Sequence, residues 1–121
     1  MGTALVVEDS LTEMQILISC LQQAGINVLI AQSGEEAIAT VNNQKPDVIV
    51  LDVVLPGCSG FEVCRRLKAG ATTSDIPIVM CSTKSGEMDR FWGMKQGADA
   101  YIAKPIDQAE LVRTIKQLIQ H

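Results

Sequence analysis

Residues 48–52 are Val48-Ile49-Val50-Leu51-Asp52, four aliphatic side chains in a row followed by a carboxylate. An uninterrupted aliphatic run of this length is typical of a parallel strand that is covered on both faces. Comparable runs lie at residues 4–7, 28–31, 78–81 and 100–103. The stretches between them have helical spacing, so strand and helix alternate. The sequence therefore predicts an α/β fold built on a five-stranded parallel sheet.

Capping residues mark the ends of the predicted helices. Ser10-Leu11-Thr12-Glu13 and Ser33-Gly34-Glu35-Glu36 both fit capping boxes, and Glu13 is expected to reach back to Ser10. Gly25 and Gly97 are expected to end the first and the fourth helix. The remaining helices are predicted around residues 61–67, 89–96 and from 108 to the C-terminus.

Length and composition limit the classes of function. A chain of 121 residues forms one domain, here residues 1–121, and needs neither disulfides nor metal to build a core. A net charge of −4 argues against nucleic-acid binding, which needs clustered lysine and arginine. We expect no secretory signal and no membrane insertion. The four cysteines lack C-x-x-C spacing and the only histidine is His121, which predicts free thiols in the cytoplasm, no zinc site and no histidine-based catalysis.

Polar residues follow four of the five predicted strands. Glu8 and Asp9 follow the first, Asp52 the third, Ser82 the fourth and Lys104 the fifth. All of them should lie at the carboxyl edge of the sheet, where open α/β folds bind ligands. Carboxylates about 5 Å apart repel by roughly 3 kcal/mol per pair at an effective dielectric near 20, so three of them need a cation or raised pKa values. Oxygen ligands without histidine indicate Mg²⁺ or Mn²⁺.

An acidic metal site that faces a lysine and a hydroxyl suits a phosphoryl group. The metal and Lys104 would neutralise the phosphoryl oxygens, and Ser82 would donate a hydrogen bond to one of them. Asp52 is the best candidate for a nucleophile that forms an aspartyl phosphate, because the two adjacent acids after the first strand can share the cation. Thr83 is the alternative hydroxyl, although the strand phase favours Ser82.

These motifs occur in the order and spacing of a known family. Glu8-Asp9, the segment 52–60, Ser82 and Lys104-Pro105 together resemble the receiver domains of two-component response regulators, of the chemotaxis-regulator kind. The resemblance covers residues 4–120. It implies a flavodoxin-like (βα)5 three-layer sandwich with strand order 2-1-3-4-5 and helices on both faces of the sheet.

The same resemblance assigns roles to individual residues. It implies that Asp52 is the phosphoacceptor and that Mg²⁺ is held by Asp9, Asp52, the Val54 carbonyl and, through water, Glu8. It also implies a cis peptide bond before Pro105. Glu8 stands where an aspartate is commoner in the family, and its longer side chain should still reach a metal-bound water.

Two aromatic residues are candidates for a switching face that contacts partners. The resemblance implies that Tyr101 rotates between exposed and buried positions, with a static tyrosine as the alternative. Trp92 flanks a predicted buried stripe and is a candidate partner anchor, with simple packing as the alternative. The stripe consists of Met88, Phe91, Met94 and Ala98. The segment 89–98 resembles single-domain regulators of twitching-motility (type IV pilus) chemosensory systems.

We therefore expect a stand-alone receiver without an output domain. A chemotaxis-type histidine kinase would phosphorylate Asp52, and the face formed by the fourth helix, fifth strand and fifth helix would change its affinity for a motility effector or phosphatase. The protein should be a monomer or weak dimer. It should not be an enzyme, apart from catalysing its own phosphorylation and dephosphorylation.

Three alternatives to this interpretation differ in what happens at Asp52. A phosphatase with an aspartyl nucleophile is disfavoured, because that class needs a second acid two residues later, where Val54 stands. An interaction module that is never phosphorylated is disfavoured by the complete site. A phosphate sink, which drains a shared kinase without binding an effector, stays open. The resemblance implies that Val54 and Lys84 face the acyl phosphate, and an apolar Val54 then predicts slow dephosphorylation.

Overall fold

Five strands alternate with five helices in the computed structural model, which describes residues 2–119, so that His121 lies outside the described residues. The strands are β1 (Thr3–Val7), β2 (Asn27–Ala31), β3 (Val48–Asp52), β4 (Ile78–Ser82) and β5 (Ala100–Ala103). The helices are α1 (Leu11–Gln23), α2 (Gly34–Asn43), α3 (Gly60–Ala69), α4 (Glu87–Lys95) and α5 (Gln108–Ile119). Among these helices, none has the length and apolarity that a membrane span requires.

The strands form one parallel sheet in the order β2-β1-β3-β4-β5, which confirms the predicted topology. Val7 pairs with Leu51, and Asp52 pairs with Cys81. β1, β3 and β4 therefore end at nearly the same level. The residues that follow them share one edge of the sheet, as expected from the parallel arrangement.

Aliphatic side chains from alternate strand positions build two cores, one on each face of the sheet. Leu5 and Val7 of β1 belong to the core that α2 and α3 cover. Ala4 and Val6 belong to the core that α1 and α5 cover. Successive strand residues point to opposite faces, so both faces of the central strands are buried and the fold has three layers.

Serine side chains cap the starts of α1 and α2 as predicted, and Ser59 caps α3 as well, but the first capping box is incomplete. The Ser10 hydroxyl accepts a hydrogen bond from the Glu13 N–H at 3.3 Å. The reciprocal bond from Glu13 is absent among the hydrogen bonds of the described residues, because the Ser10 N–H donates to Oε2 of Glu8 at 3.2 Å. The carboxylate of Glu13 is therefore available for another partner.

The predicted buried stripe on α4 is wrong. Met88, Phe91 and Met94 are 77%, 59% and 47% exposed, and Ala98 is the buried member of the set. The residue of α4 that is buried is Gly93, where a β-carbon would lie 2.8 Å from the Tyr101 ring. Because the residue that faces the sheet has no side chain, the apolar side chains of this helix lie on its outer surface.

Candidate functional site

The ends of two neighbouring strands, β1 and β3, bring acidic side chains together at the carboxyl edge of the sheet. Carboxylate oxygens of Glu8, Asp9 and Asp52 lie within 4.8 Å of one another. They open into a cavity of about 450 Å³. The other residues that line this cavity are Ser10, Glu13, Val54, Thr83, Lys104 and Pro105. The predicted acids and Lys104 are thus neighbours in space, although nearly one hundred positions separate the first from the last.

Lys104 connects these acids. Its ammonium nitrogen lies 2.5 Å from Oε1 of Glu8, 3.4 Å from Oε1 of Glu13 and 3.8 Å from Oδ1 of Asp52. Burial would lower the pKa of Lys104, but its hydrogen bond to Glu8 and the charges of Asp52, Glu8 and Glu13 outweigh burial and raise the pKa. The side chains of Glu8 and Lys104 are both almost fully buried, and their pairing offsets the free-energy cost of burying two charges.

Asp52 is buried at the end of β3, and its Oδ1 accepts a hydrogen bond from the Val53 N–H at 2.8 Å. Burial raises the pKa of Asp52 from 3.8 to about 6. The Lys104 charge opposes this shift, the Glu8 charge adds to it, and the N–H groups of Val53 and Val54 lower the pKa again. Four carboxylates and one lysine line this cavity, so added positive charge would stabilise the site.

The donor set fits a hard divalent cation. Glu8, Asp9 and Asp52 supply carboxylate oxygens, which Mg²⁺ prefers, and Asp9 is exposed to solvent, so the ion could keep water ligands. Val54 lines the same cavity. The role of its carbonyl as a ligand stays a prediction.

The two candidate hydroxyls occupy different environments. Ser82 is fully buried, and its hydroxyl accepts a hydrogen bond from the Lys84 N–H at 3.1 Å. Thr83 is exposed and lines the cavity that holds the carboxylates. The structure does not bring Ser82 into that cavity. A role for Ser82 as the phosphoryl-sensing hydroxyl therefore stays a prediction.

Tyr101 is buried and forms a hydrogen bond to the loop between β4 and α4. Its hydroxyl donates to the Lys84 carbonyl, and the Arg90 guanidinium lies 5.6 Å from the centre of its ring. Arg90 also donates to the carbonyls of Ser85 and Tyr101, at 3.0 and 3.1 Å. Burial raises the pKa of Tyr101, and the Asp89 charge adds to the effect. The predicted rotation of Tyr101 stays untested, and the structure holds the ring in its inward position.

Trp92 is half-exposed on α4 and lines a shallow cavity of about 350 Å³ against α3. Its role as a partner anchor stays a prediction. The peptide bond between Lys104 and Pro105 is cis, as the resemblance implied.

The sequence interpretation missed two residues that make specific contacts. Glu13 was assigned to helix capping, although its place in the first turn after β1 also puts it near the strand ends. Arg90 carries no signal in the sequence, because its two acceptors are backbone carbonyls on other segments.

Comparison with known proteins identifies the class. Residues 4–116 match the family of response regulator receiver domains. The chain belongs to this family and is a phosphorylation-dependent switch module of two-component signalling. Protein PilH from Pseudomonas aeruginosa is 41% identical over 119 residues, which cover 98% of each chain. The PhoB proteins of Pseudomonas aeruginosa and Klebsiella pneumoniae are longer relatives, 40% identical, and this chain spans about half of their length.

Solved structures agree with the fold. A response regulator from Chloroflexus aurantiacus superposes with a TM-score of 0.96 at 34% identity, covering 99% of this chain and 98% of the other. The receiver domain of sensor histidine kinase PA1611 from Pseudomonas aeruginosa has a TM-score of 0.92 at 27% identity, covering 99% and 98%. The latter structure has a magnesium ion coordinated in its active-site cleft.

Proposed function

We propose that this chain accepts a phosphoryl group from a sensor histidine kinase on Asp52 and signals by changing its affinity for a partner. The observation that carries this proposal is the buried Asp52 carboxylate, which shares one cavity with Glu8, Asp9 and Lys104. An oxygen of Asp52 would attack the phosphorus atom, and the bond from phosphorus to the donor histidine nitrogen would break. Lys104 lies close enough to move onto a phosphoryl oxygen.

Mg²⁺ is the proposed cofactor, and Mn²⁺ offers similar chemistry. Glu8, Asp9 and Asp52 would hold it, with the Val54 carbonyl as a further ligand. When bound, the ion supplies positive charge to the phosphoryl oxygens. The magnesium in the PA1611 receiver domain supports this assignment.

A role in motility or chemosensory control is supported by the similarity to PilH over nearly the whole length of both chains. The proposed partners are a chemotaxis-type histidine kinase and a motility effector or phosphatase. We propose a cytoplasmic location, which suits the four free thiols. We also propose that the chain is not an enzyme toward other substrates and catalyses only its own phosphorylation and dephosphorylation.

A messenger is favoured over a phosphate sink by the surface of α4. Met88, Phe91, Trp92 and Met94 are exposed on this nine-residue helix. Methionine and aromatic residues are enriched in protein interfaces, and a sink has no need of such a surface. A partner that binds the phosphorylated chain more tightly than Asp52→Asn supports the messenger. Fast phosphotransfer with no such partner supports the sink.

Intact mass spectrometry after incubation with acetyl phosphate tests the proposal. We expect a phosphoryl adduct that depends on Mg²⁺ and is absent from Asp52→Asn. Asp47→Asn is the matched control and should still form the adduct. It changes an exposed acid that lies just before β3, at the opposite end of that strand from Asp52. No adduct with acetyl phosphate or with a phosphorylated histidine kinase contradicts the proposal.

A further inference from the structure

We infer that Glu13 is a positioning residue that holds Lys104 away from Asp52 in the resting site and thereby opposes phosphorylation. This inference rests on the proposed function at Asp52. It concerns a carboxylate that the sequence assigned to helix capping and not to the phosphorylation site. Glu13 lies in the first turn of α1 and lines the same cavity as the three acids of the candidate metal site.

The distances show which carboxylates hold Lys104. Its ammonium nitrogen is 3.4 Å from Glu13 and 2.5 Å from Glu8, within the range of direct ion pairs. Asp52 is also within ion-pair distance but is the farthest of the three, at 3.8 Å. The lysine is therefore drawn toward the α1 side of the cavity. Glu13 and Glu8 together oppose its movement onto Asp52.

Glu13 is free for this contact because Glu8 has taken its expected capping partner. In a complete capping box, the Glu13 carboxylate would accept the Ser10 N–H. Here that N–H donates to Oε2 of Glu8 at 3.2 Å, while Oε1 of Glu8 binds Lys104. The longer side chain of a glutamate at position 8 makes both contacts at once. It leaves the Glu13 carboxylate to face the lysine.

Phosphorylation would break the ion pair between Lys104 and Glu13. Lys104 must move toward a phosphoryl oxygen on Asp52, and it then loses its contact with Glu13. The negative charge of Glu13 also repels the arriving phosphoryl group. The carboxylate is partly exposed, so water screens it. For a carboxylate about 7 Å from a phosphoryl group and an effective dielectric of about 40 to 80, removing the carboxylate charge favours the phosphorylated form by about threefold to sevenfold.

The first test measures how much phosphate donor each variant needs. At saturating Mg²⁺, we expect Glu13→Gln to lower the acetyl phosphate concentration for half-maximal modification by about threefold to sevenfold, with less change in the maximal rate. Glu13→Asp keeps the charge but shortens the side chain, and it should lie between wild type and Glu13→Gln. Glu35→Gln is the matched control, because it removes the same charge from an exposed first-turn glutamate of α2. It should behave like wild type.

The second test does not depend on phosphorylation. The ¹⁵N signal of the Lys104 side chain should shift in Glu13→Gln without any phosphate donor, and it should not shift in Glu35→Gln. An unchanged Lys104 signal together with an unchanged donor requirement overturns the role of Glu13. If wild type is not phosphorylated but the Lys104 signal shifts in Glu13→Gln, the proposed function fails while the lysine contact stands. If wild type is phosphorylated and Glu13→Gln matches Glu35→Gln, the Glu13 inference alone fails.

Discussion

The ring of Tyr101 packs against the backbone of Gly93, at a place where a β-carbon would come within 2.8 Å of ring atoms Cδ2 and Cε2. The same β-carbon would lie 3.0 Å from the sulfur of Met80. The absence of a side chain at position 93 therefore lets α4 lie close to β4 and β5. It also lets the Tyr101 hydroxyl reach the Lys84 carbonyl, which joins α4, Tyr101 and the loop before α4 into one unit.

Gly93→Ala should displace Tyr101 from its inward position. Alanine favours the helix by about 1 kcal/mol, but the added methyl crowds a packed contact at a cost of about 1 to 3 kcal/mol. We expect a net loss of up to about 2 kcal/mol in the free energy of unfolding, and a more exposed Tyr101 ring. Urea unfolding and the NMR signals of the ring measure these effects.

A Tyr101→Leu background provides the control for that substitution. The flexible leucine side chain can yield to the new methyl, so Gly93→Ala should cost less there than in wild type. Equal costs in both backgrounds, or an unchanged Tyr101 signal in Gly93→Ala, would show that the contact does not position the ring.

Gly60→Ala should disturb the position of Asp52. A β-carbon at residue 60 would overlap the Asp52 carbonyl oxygen and lie 2.9 Å from the Val53 α-carbon. Both neighbours are backbone atoms, which cannot move aside as a side chain can. The Gly60 N–H also donates to the Val53 carbonyl at 2.7 Å. We expect a loss of about 3 kcal/mol in the free energy of unfolding, with weaker Mg²⁺ binding.

Gly86→Ala is the matched control, since its β-carbon would meet only Asp89 Oδ2, at 3.6 Å. Chemical unfolding should show that Gly60→Ala is less stable than Gly86→Ala by more than about 2 kcal/mol. A Mg²⁺ titration should show weaker binding in Gly60→Ala than in Gly86→Ala. Equal stabilities would mean that the chain around Asp52 relaxes freely and that its position is not fixed by Gly60.

The fold was predictable from sequence because aliphatic runs and helical periodicity report burial directly. β5 has the predicted bounds, Ala100–Ala103, and β3 differs only by including Asp52. The same reasoning failed for α4. Periodicity assumes that the buried face of a helix carries apolar side chains, and on this helix Gly93 occupies that face. The exposed apolar residues were then assigned to the core.

The site was predictable to the extent that it depends on strand ends. Parallel strands place Asp52 and Lys104 at the carboxyl edge of the sheet, and this placement does not depend on their side-chain rotamers. The environment of Ser82 was not predictable, because it depends on how the next two residues turn at the end of β4. The role of Glu13 was not predictable either. It follows from competition between two glutamates for a single backbone N–H group.

Val54→Asn should shorten the lifetime of the phosphorylated form. The Val54 side chain is 52% exposed at the cavity that contains Asp52, and it offers no hydrogen bond to a water molecule there. An asparagine could orient the water that attacks the acyl phosphate, and we expect dephosphorylation to be about tenfold faster. Val54→Ala opens the cavity without adding a polar group and should change the rate little. A decay in Val54→Asn that is unchanged or slower than wild type, followed by mass spectrometry, contradicts this prediction.

The protonation of Asp52 should make stability depend on pH. The folded chain holds this proton up to about pH 6, whereas the unfolded chain releases it near 3.8. Between these values the folded state binds more protons, so the free energy of unfolding falls as pH rises. Above about pH 6 the free energy of unfolding has fallen by its full amount, about 2 to 3 kcal/mol. This follows from the difference between the folded and unfolded pKa of Asp52, because each pKa unit corresponds to about 1.36 kcal/mol.

Asp52→Asn should therefore be more stable than wild type at neutral pH, because it replaces a buried charge with a neutral group of similar shape. Without divalent cations we expect a gain of about 1 to 3 kcal/mol at pH 7.5 and a much smaller one near pH 4.5. Mg²⁺ at ten times its dissociation constant should stabilise wild type by about 1.4 kcal/mol and Asp52→Asn by less. Urea unfolding at both pH values, with EDTA or Mg²⁺, measures all three differences. If Asp52→Asn gains no stability at pH 7.5, or gains as much at pH 4.5, the buried charge of Asp52 is not what makes the cation-free protein less stable at neutral pH.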